Sequence, residues 1–207
     1  MLKPMLLIAF LFSGCMAVTP ESIAGEKERG TMATLLATPI RRSEIAIGKI
    51  TALSVLALIS GTSSFIGLIF SLPKLIGVGV SILSIYGIGE IALLFLIIMS
   101  TVLVIVGAMA MASAFSKNVK EATMLITPLM ILGMVTGMLS MFVSAPTSFL
   151  FYLIPLYNAS ASIASVLAFE TVMINLVVTT LANILYVIGF VWLLTKIFNS
   201  EKIMFAK

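Results

Sequence analysis

The 207 residues are 61% hydrophobic and only 10% charged, with 12 Lys+Arg against 8 acidic residues and no histidine, whereas soluble domains carry about a quarter charged residues. So little polar surface, with a mean hydropathy of +1.25, places the chain in a bilayer as a polytopic membrane protein. The counts also exclude histidine-based zinc and acid–base chemistry, paired-aspartate proteolysis (every acid is Glu), an intrachain disulfide from the lone cysteine, and a phosphate loop, since no G-x-x-x-x-G-K-[ST] run occurs.

Five apolar stretches, at about residues 4–18, 45–72, 88–115, 122–143 and 172–197, predict an all-α transmembrane bundle of five spans in one domain, 1–207. A crossing helix needs about 20 apolar residues for the roughly 30 Å hydrocarbon core. The last four stretches meet that length and the first falls short. In the first, Lys3, the apolar run 5–12 and Ser13-Gly14-Cys15 resemble a lipoprotein signal ending in a lipid-modified cysteine. The alternative is a small-residue patch in an ordinary membrane helix, which the four further spans and the charged segment after it favour.

That segment, residues 20–39, is the most informative. Thr19-Pro20 reads as an N-cap and first helical residue. Gly25 and Gly30 flank Glu26-Lys27-Glu28-Arg29, and each weakens a continuous helix by about 1 kcal/mol. From Thr31, a second N-cap, Met32, Leu35 and Leu36 share one face before Thr38-Pro39 stops the helix. A helix of barely two turns is marginal in water, so it must lie on something. The membrane surface is one support, with Arg41 and Arg42 on lipid phosphates; a groove on a cytoplasmic partner is the other.

Further along, Ser60, Thr62, Ser63 and Ser64 cluster in the second span, and Glu90 follows Gly87 and Gly89 near the outer end of the third. An ionisable residue in a span is a candidate for the transport path; the alternative for Glu90 is an interfacial carboxylate reaching water. Gly107, with Ala108, Ala110, Ala112 and Ala114, makes a smooth helix surface, and Gly133-x-x-x-Gly137 matches the close-approach motif. Either surface is suited to face a second subunit. Pro128 predicts a kink in the fourth span.

The outer segment 144–171 carries Pro146, Pro155 and Asn158 among apolar residues. It is too apolar for a solvated loop and too broken for a span, which predicts short re-entrant or interfacial helices buried against protein. In the last span Thr179, Thr180 and Asn183 lie at helical spacing, with Asn175 a turn further out. Such oxygens suit a sodium ion; the alternative is interhelical hydrogen bonding worth about 1 kcal/mol.

Charge sets orientation. With 19–44, 116–121 and the C-terminal tail cytoplasmic, that side holds Lys27, Arg29, Arg41, Arg42, Lys49, Lys117, Lys120, Lys196, Lys202 and Lys207, leaving only Lys3 and Lys74 of the 12 basic residues outside. The basic residues form no dense run with interleaved aromatics, so they indicate topology rather than nucleic acid.

Glu21-x-x-Ala24-Gly25-Glu26-Lys27-Glu28-Arg29-Gly30-Thr31, followed by Thr34-Leu35-Leu36-Ala37-Thr38-Pro39 and Arg42-Ser43-Glu44, resembles the coupling segment of ABC type-2 export permeases, above all their sodium-efflux (NatB-type) branch. Ile154-Pro155-Leu156-Tyr157-Asn158 is similar to the family's outer-face motif, and Phe198-Asn199-Ser200-Glu201-Lys202-Ile203-Met204-Phe205 to its C-terminal end. The resemblance implies a permease in the cell membrane that pairs with a second permease and with separate ATPase subunits. ATP and Mg would be bound on those partners and no cofactor or metal on this chain. It also implies that Gly25, Glu26, Lys27, Glu28, Arg29, Gly30, Thr31, Met32, Leu35 and Leu36 meet the ATPase, the charged residues setting registry and the apolar ones anchoring. Members of the branch begin with a further helix and a large extracytoplasmic domain, so the chain starts inside what would be their second helix. The expected function is ATP-driven export, with sodium as the first substrate. A truncated or split permease with an assembly role, or a secondary transporter, is the alternative; the latter needs midplane charges or an inverted repeat.

Overall fold

The computed structural model describes residues 3–76, 86–142, 149–168, 170 and 172–199, and among them every regular element is helical. In chain order these are α1 (Lys3–Met16), a π turn (Glu21–Gly25), α2 (Glu26–Glu28), α3 (Thr31–Leu36), α4 (Arg42–Ile76), α5 (Ile88–Phe115), α6 (Val119–Phe142), a 3-10 turn (Phe149–Leu153), α7 (Tyr157–Leu167) and α8 (Met173–Asn199). Among the described residues, five segments are long and apolar enough to cross a membrane: Pro4–Glu28, Arg42–Ser71, Ile88–Phe115, Val119–Ser140 and Met173–Asn199.

The first span corrects its sequence expectation. It does not stop near residue 18 but runs 25 residues. After a turn at Ala17-Val18 the chain resumes helical geometry at Thr19-Pro20 and widens into the π turn, within which Ile23, Ala24 and Gly25 are buried. Pro20 has no N–H to donate, which is tolerated in the first turn of a resumed helix. The π turn lets the axis continue toward α2. Residues 20–25 therefore belong to a span end rather than to a free segment. The span closes at Gly30, whose φ of +74° is the left-handed conformation that terminates helices and that glycine adopts without a Cβ clash.

The innermost helix is α5, half buried over its most apolar window, whereas α4 is only 17% buried. Ser100 meets Asn183, and Gly107 meets Phe190 one heptad further along both helices, so α5 and α8 run parallel. The glycines of both small-residue surfaces are close-approach points within the chain itself. A Cβ on Gly133 would sit 2.8 Å from Phe12, one on Gly137 2.8 Å from the Met5 backbone, and one on Gly107 2.8 Å from Phe190. Pro128 lies within α6, which continues through it. The buried Cys15 is 3% exposed, in the core with Ile8, Leu11 and Phe12.

Residues 143–148, with Pro146, lie outside the described set, as do 200–207 with Lys202 and Lys207. The remainder of the outer segment has the expected character. Helix α7 is too short to span at 11 residues, yet Asn158, Ser160, Ser162 and Ile163 in it are fully buried. Leu156, at φ +68°, turns the chain into it.

Candidate functional site

The turns of the basic end come together around α2. Glu26 Oε1 accepts from Lys49 Nζ at 2.6 Å, with side-chain exposures of 30% and 12%, and the same ammonium donates to the Ser22 carbonyl at 2.9 Å. The span end and the first turns of α4 are thus tied beyond their covalent link. Lys27 Nζ donates to the carbonyls of Ala114 and Ser116, at the C-terminus of α5. Glu28 Oε2 accepts from the N–H of Val119, the first residue of α6, at 3.0 Å. Helix ends leave orphan carbonyls and N–H groups carrying partial negative and positive charge, respectively. Adjacent residues of opposite sign therefore satisfy both ends of one turn. That turn is organised internally as well. Asn118 Oδ1 accepts from the Glu121 N–H at 2.8 Å, and Glu121 Oε2 accepts from the Lys117 N–H at 2.7 Å.

Beyond this inward face the segment is open. Arg29 pairs with Glu21 at 3.1 Å with both side chains more than half exposed. Gly30, Thr31, Thr34, Ala37, Thr38, Pro39, Ile40 and Arg41 are exposed. Thr31 does not cap its own helix as expected; its hydroxyl donates back to the Glu26 carbonyl at 3.2 Å. Met32, expected to anchor a partner, is 1% exposed in this chain's own core, and Leu35 packs partly buried against it. A short amphipathic helix at a span end buries its apolar stripe on the nearest apolar surface, here the bundle itself. The side chain of Leu36 lies outside the described set. Of the residues expected to meet a partner, then, Glu26, Lys27 and Met32 face inward, Glu28 reaches Val119 from an exposed position, and Arg29, Gly30 and Thr31 face out.

A family model described as ABC-2 family transporter protein matches residues 4–198. The chain belongs to this family. That makes it a transporter component rather than an enzyme, and the match takes in residues 20–39, α7 and the five apolar spans. ABC transporter permease protein NatB of Bacillus subtilis (strain 168) is 31% identical over 167 residues, covering 76% of this chain and 42% of that relative. The chain thus spans less than half the length of the curated relative it matches. No solved structure matches it.

In this ABC-2 chain the polar residues expected along a substrate path divide into three groups. Glu90 caps α5: its Oε2 accepts from the Gly87 N–H at 2.8 Å, half-buried. Beside it, burial and then the Glu90 carboxylate push the Tyr86 phenol above its ordinary pKa, and the phenol donates to the Leu167 carbonyl at 2.8 Å.

In the second group, Thr179 and Asn183 occupy successive turns on the buried face of α8. Asn158 donates to Asn183 at 2.8 Å, Asn183 donates to Ser100 at 3.0 Å, and Ser162 and Thr179 share a hydroxyl hydrogen bond of 2.8 Å. Thr180 turns back to the Leu176 carbonyl. Thr179 and Asn183 thus make the interhelical bonds read as the alternative for them, whereas the bond of Thr180 stays within α8. Sequence reasoning missed their partners Asn158 and Ser162, whose spacing of four on one face of α7 was the available signal, while Ser160 bonds instead to Thr136 and the Leu156 carbonyl.

The third group is on α4. A Cβ on Gly14 would sit 1.9 Å from Ser60 Oγ, so Ser60 marks the α1–α4 contact. Thr62 and Ser63 donate to carbonyls one turn back. Ser63 and Ser64, with Leu6, Phe10, Gly67 and Ser71, line a cavity of about 570 Å³ between α1 and α4. Among the described residues no three acidic or thiol side chains converge as a metal-binding group.

Proposed function

We propose that the chain is the membrane-spanning permease subunit of an ATP-driven ABC exporter and meets a separate ATPase subunit through residues 20–39. The observation that carries this reading is the outward face of residues 29–41. It is a short helix and its flanks, exposed on one side and held on the other by Met32 and the Glu26–Lys49 pair. A segment fixed on one face and free on the other is suited to receive a partner's motion and pass it into the bundle. Of the expected contacts, Arg29, Gly30 and Thr31 take the partner side together with Thr34. Glu26, Lys27, Glu28 and Met32 position the segment.

The basic end is then cytoplasmic. Lys27, Arg29, Arg41, Arg42, Lys49, Lys117, Lys120 and Lys196 all belong to turns or helix ends on that side. The C-terminus lies there too, and the protein is a multi-pass component of the cell membrane. A second permease subunit completes the pathway, ATP and Mg are bound by the ATPase, and 1–207 acts as one permease domain. Sodium is the first substrate to test, on the resemblance of the coupling motif to the sodium-efflux branch. Inverted vesicles carrying the chain with its ATPase should move sodium only when ATP is present; flux equal with and without ATP would remove the exporter reading.

A further inference from the structure

We propose that Lys27 and Glu28 form a clasp that makes the α5–α6 turn move with the coupling segment, so that the segment drives four spans rather than the two it joins. The words coupling and drive rest on the exporter reading; the clasp does not. The chain itself connects the segment only to α1 and α4. The helices α5 and α6 are joined through residues 116–118 and share no covalent neighbour with it. Yet the ammonium of Lys27 reaches the last carbonyls of α5, and the carboxylate of Glu28 the first N–H of α6. Each charge has the sign that its helix end favours, so exchanging or reversing them gains nothing elsewhere and loses both ends.

Two further contacts set the fit. A Cβ on Gly25 would lie 3.3 Å from Val119 Cγ2 and 2.7 Å from Glu21 Oε2, so glycine there lets the span end press against the start of α6. Ser113 Oγ donates to the Pro20 carbonyl at 3.4 Å, one turn deeper. The Asn118–Glu121 bonds stiffen the turn, so that displacement at Val119 is not absorbed locally. The span α5 packs in turn on α8 at Gly107–Phe190.

The test uses the full chain in lipid nanodiscs, in a Cys15→Ser background that removes the lone cysteine. Spin labels go on the exposed pair Thr34→Cys and Lys120→Cys, and as a control on Thr34→Cys and Thr51→Cys, which span the Glu26–Lys49 tie instead. Pulsed dipolar spectroscopy should give a narrow distance peak for each pair. Lys27→Met with Glu28→Met, which leaves neither the donor nor the acceptor, should abolish the narrow 34–120 peak and leave the 34–51 peak in place. Should that variant fold poorly, Lys27→Met with Val119→Pro serves, because proline is accepted at the first helical position and removes the N–H that Glu28 accepts from, together with the Val119 side chain that faces Gly25. An unchanged 34–120 peak in either folded variant, or loss of both peaks together, overturns the clasp. These distances need no ATPase, so an ATPase that never assembles with the chain removes the exporter reading and leaves the clasp standing.

Discussion

The basic end and the middle of the bundle both join helices through hydrogen bonds, but with different groups. At the basic end each bond has at least one full charge, Glu26 with Lys49, Lys27 with the carbonyls ending α5 and Glu28 with the N–H opening α6. In the middle they are neutral amides and hydroxyls, Asn158, Asn183, Ser100, Ser162 and Thr179. A charge at bilayer depth is costly, whereas a neutral amide is tolerated there once paired. The gradient in chemistry therefore follows the gradient in available water. The two regions also differ in what they leave over. The middle turns its paired groups inward, each amide and hydroxyl bonded to another helix. The basic end commits one face of its segment to the bundle and leaves the other, from Arg29 to Thr34, open. The middle is where buried bonds stabilise the bundle, and the open face of the basic end is where partner contact is proposed.

That contrast can be broken from either side. Asn183→Leu removes the acceptor of Asn158 and the donor to Ser100 in a fully buried site, and should cost about 1–3 kcal/mol, read as a lowered melting temperature in detergent. An unchanged melting temperature would mean that the network is incidental. Glu28→Lys deletes a carboxylate cap and sets a cation at the positive end of α6, so a loss of about 1 kcal/mol is expected. Glu28→Gln, which still offers an oxygen, should lose less. Ser63→Ala, with its exposed hydroxyl bonded one turn back on α4, should shift stability by about 0.5 kcal/mol or less. A larger shift would place α4 hydroxyls with the structural network. Arg29→Glu breaks only an exposed ion pair and should leave melting within about 0.5 kcal/mol, yet it should weaken assembly with the ATPase.

Much of this architecture is legible in the sequence, because apolar runs and the asymmetry of basic residues are one-dimensional signals. Five spans, a short helix after Thr31, and buried short helices around Asn158 all follow from length and composition. The first span's true end is not legible in that way. Thr19-Pro20 reads as a helix start, and nothing local reports that the π turn keeps residues 20–25 in the bundle. The partners of Lys27 and Glu28 are about ninety residues away in sequence, so a charge run that suits a protein partner reads the same as one that caps helices. Gly133-x-x-x-Gly137 announces a close approach without saying to what, and only packing shows α1 as its neighbour. Met32 illustrates the same limit: its helical face is legible, but whether that face meets a partner or its own bundle depends on the Gly30 turn.

The open face of residues 29–41 is the proposed meeting point with an ATPase. The most direct measurement is site-specific photocrosslinking in native membranes, with the probe at Thr34 and, in a separate variant, at Ile88 on the opposite end. The account predicts an adduct from Thr34 whose mass-spectrometric identity is an ABC ATPase, lost on Arg29→Glu, and none from Ile88. An ATPase adduct from Ile88, or no ATPase adduct from Thr34 while the chain is folded and inserted, would contradict it.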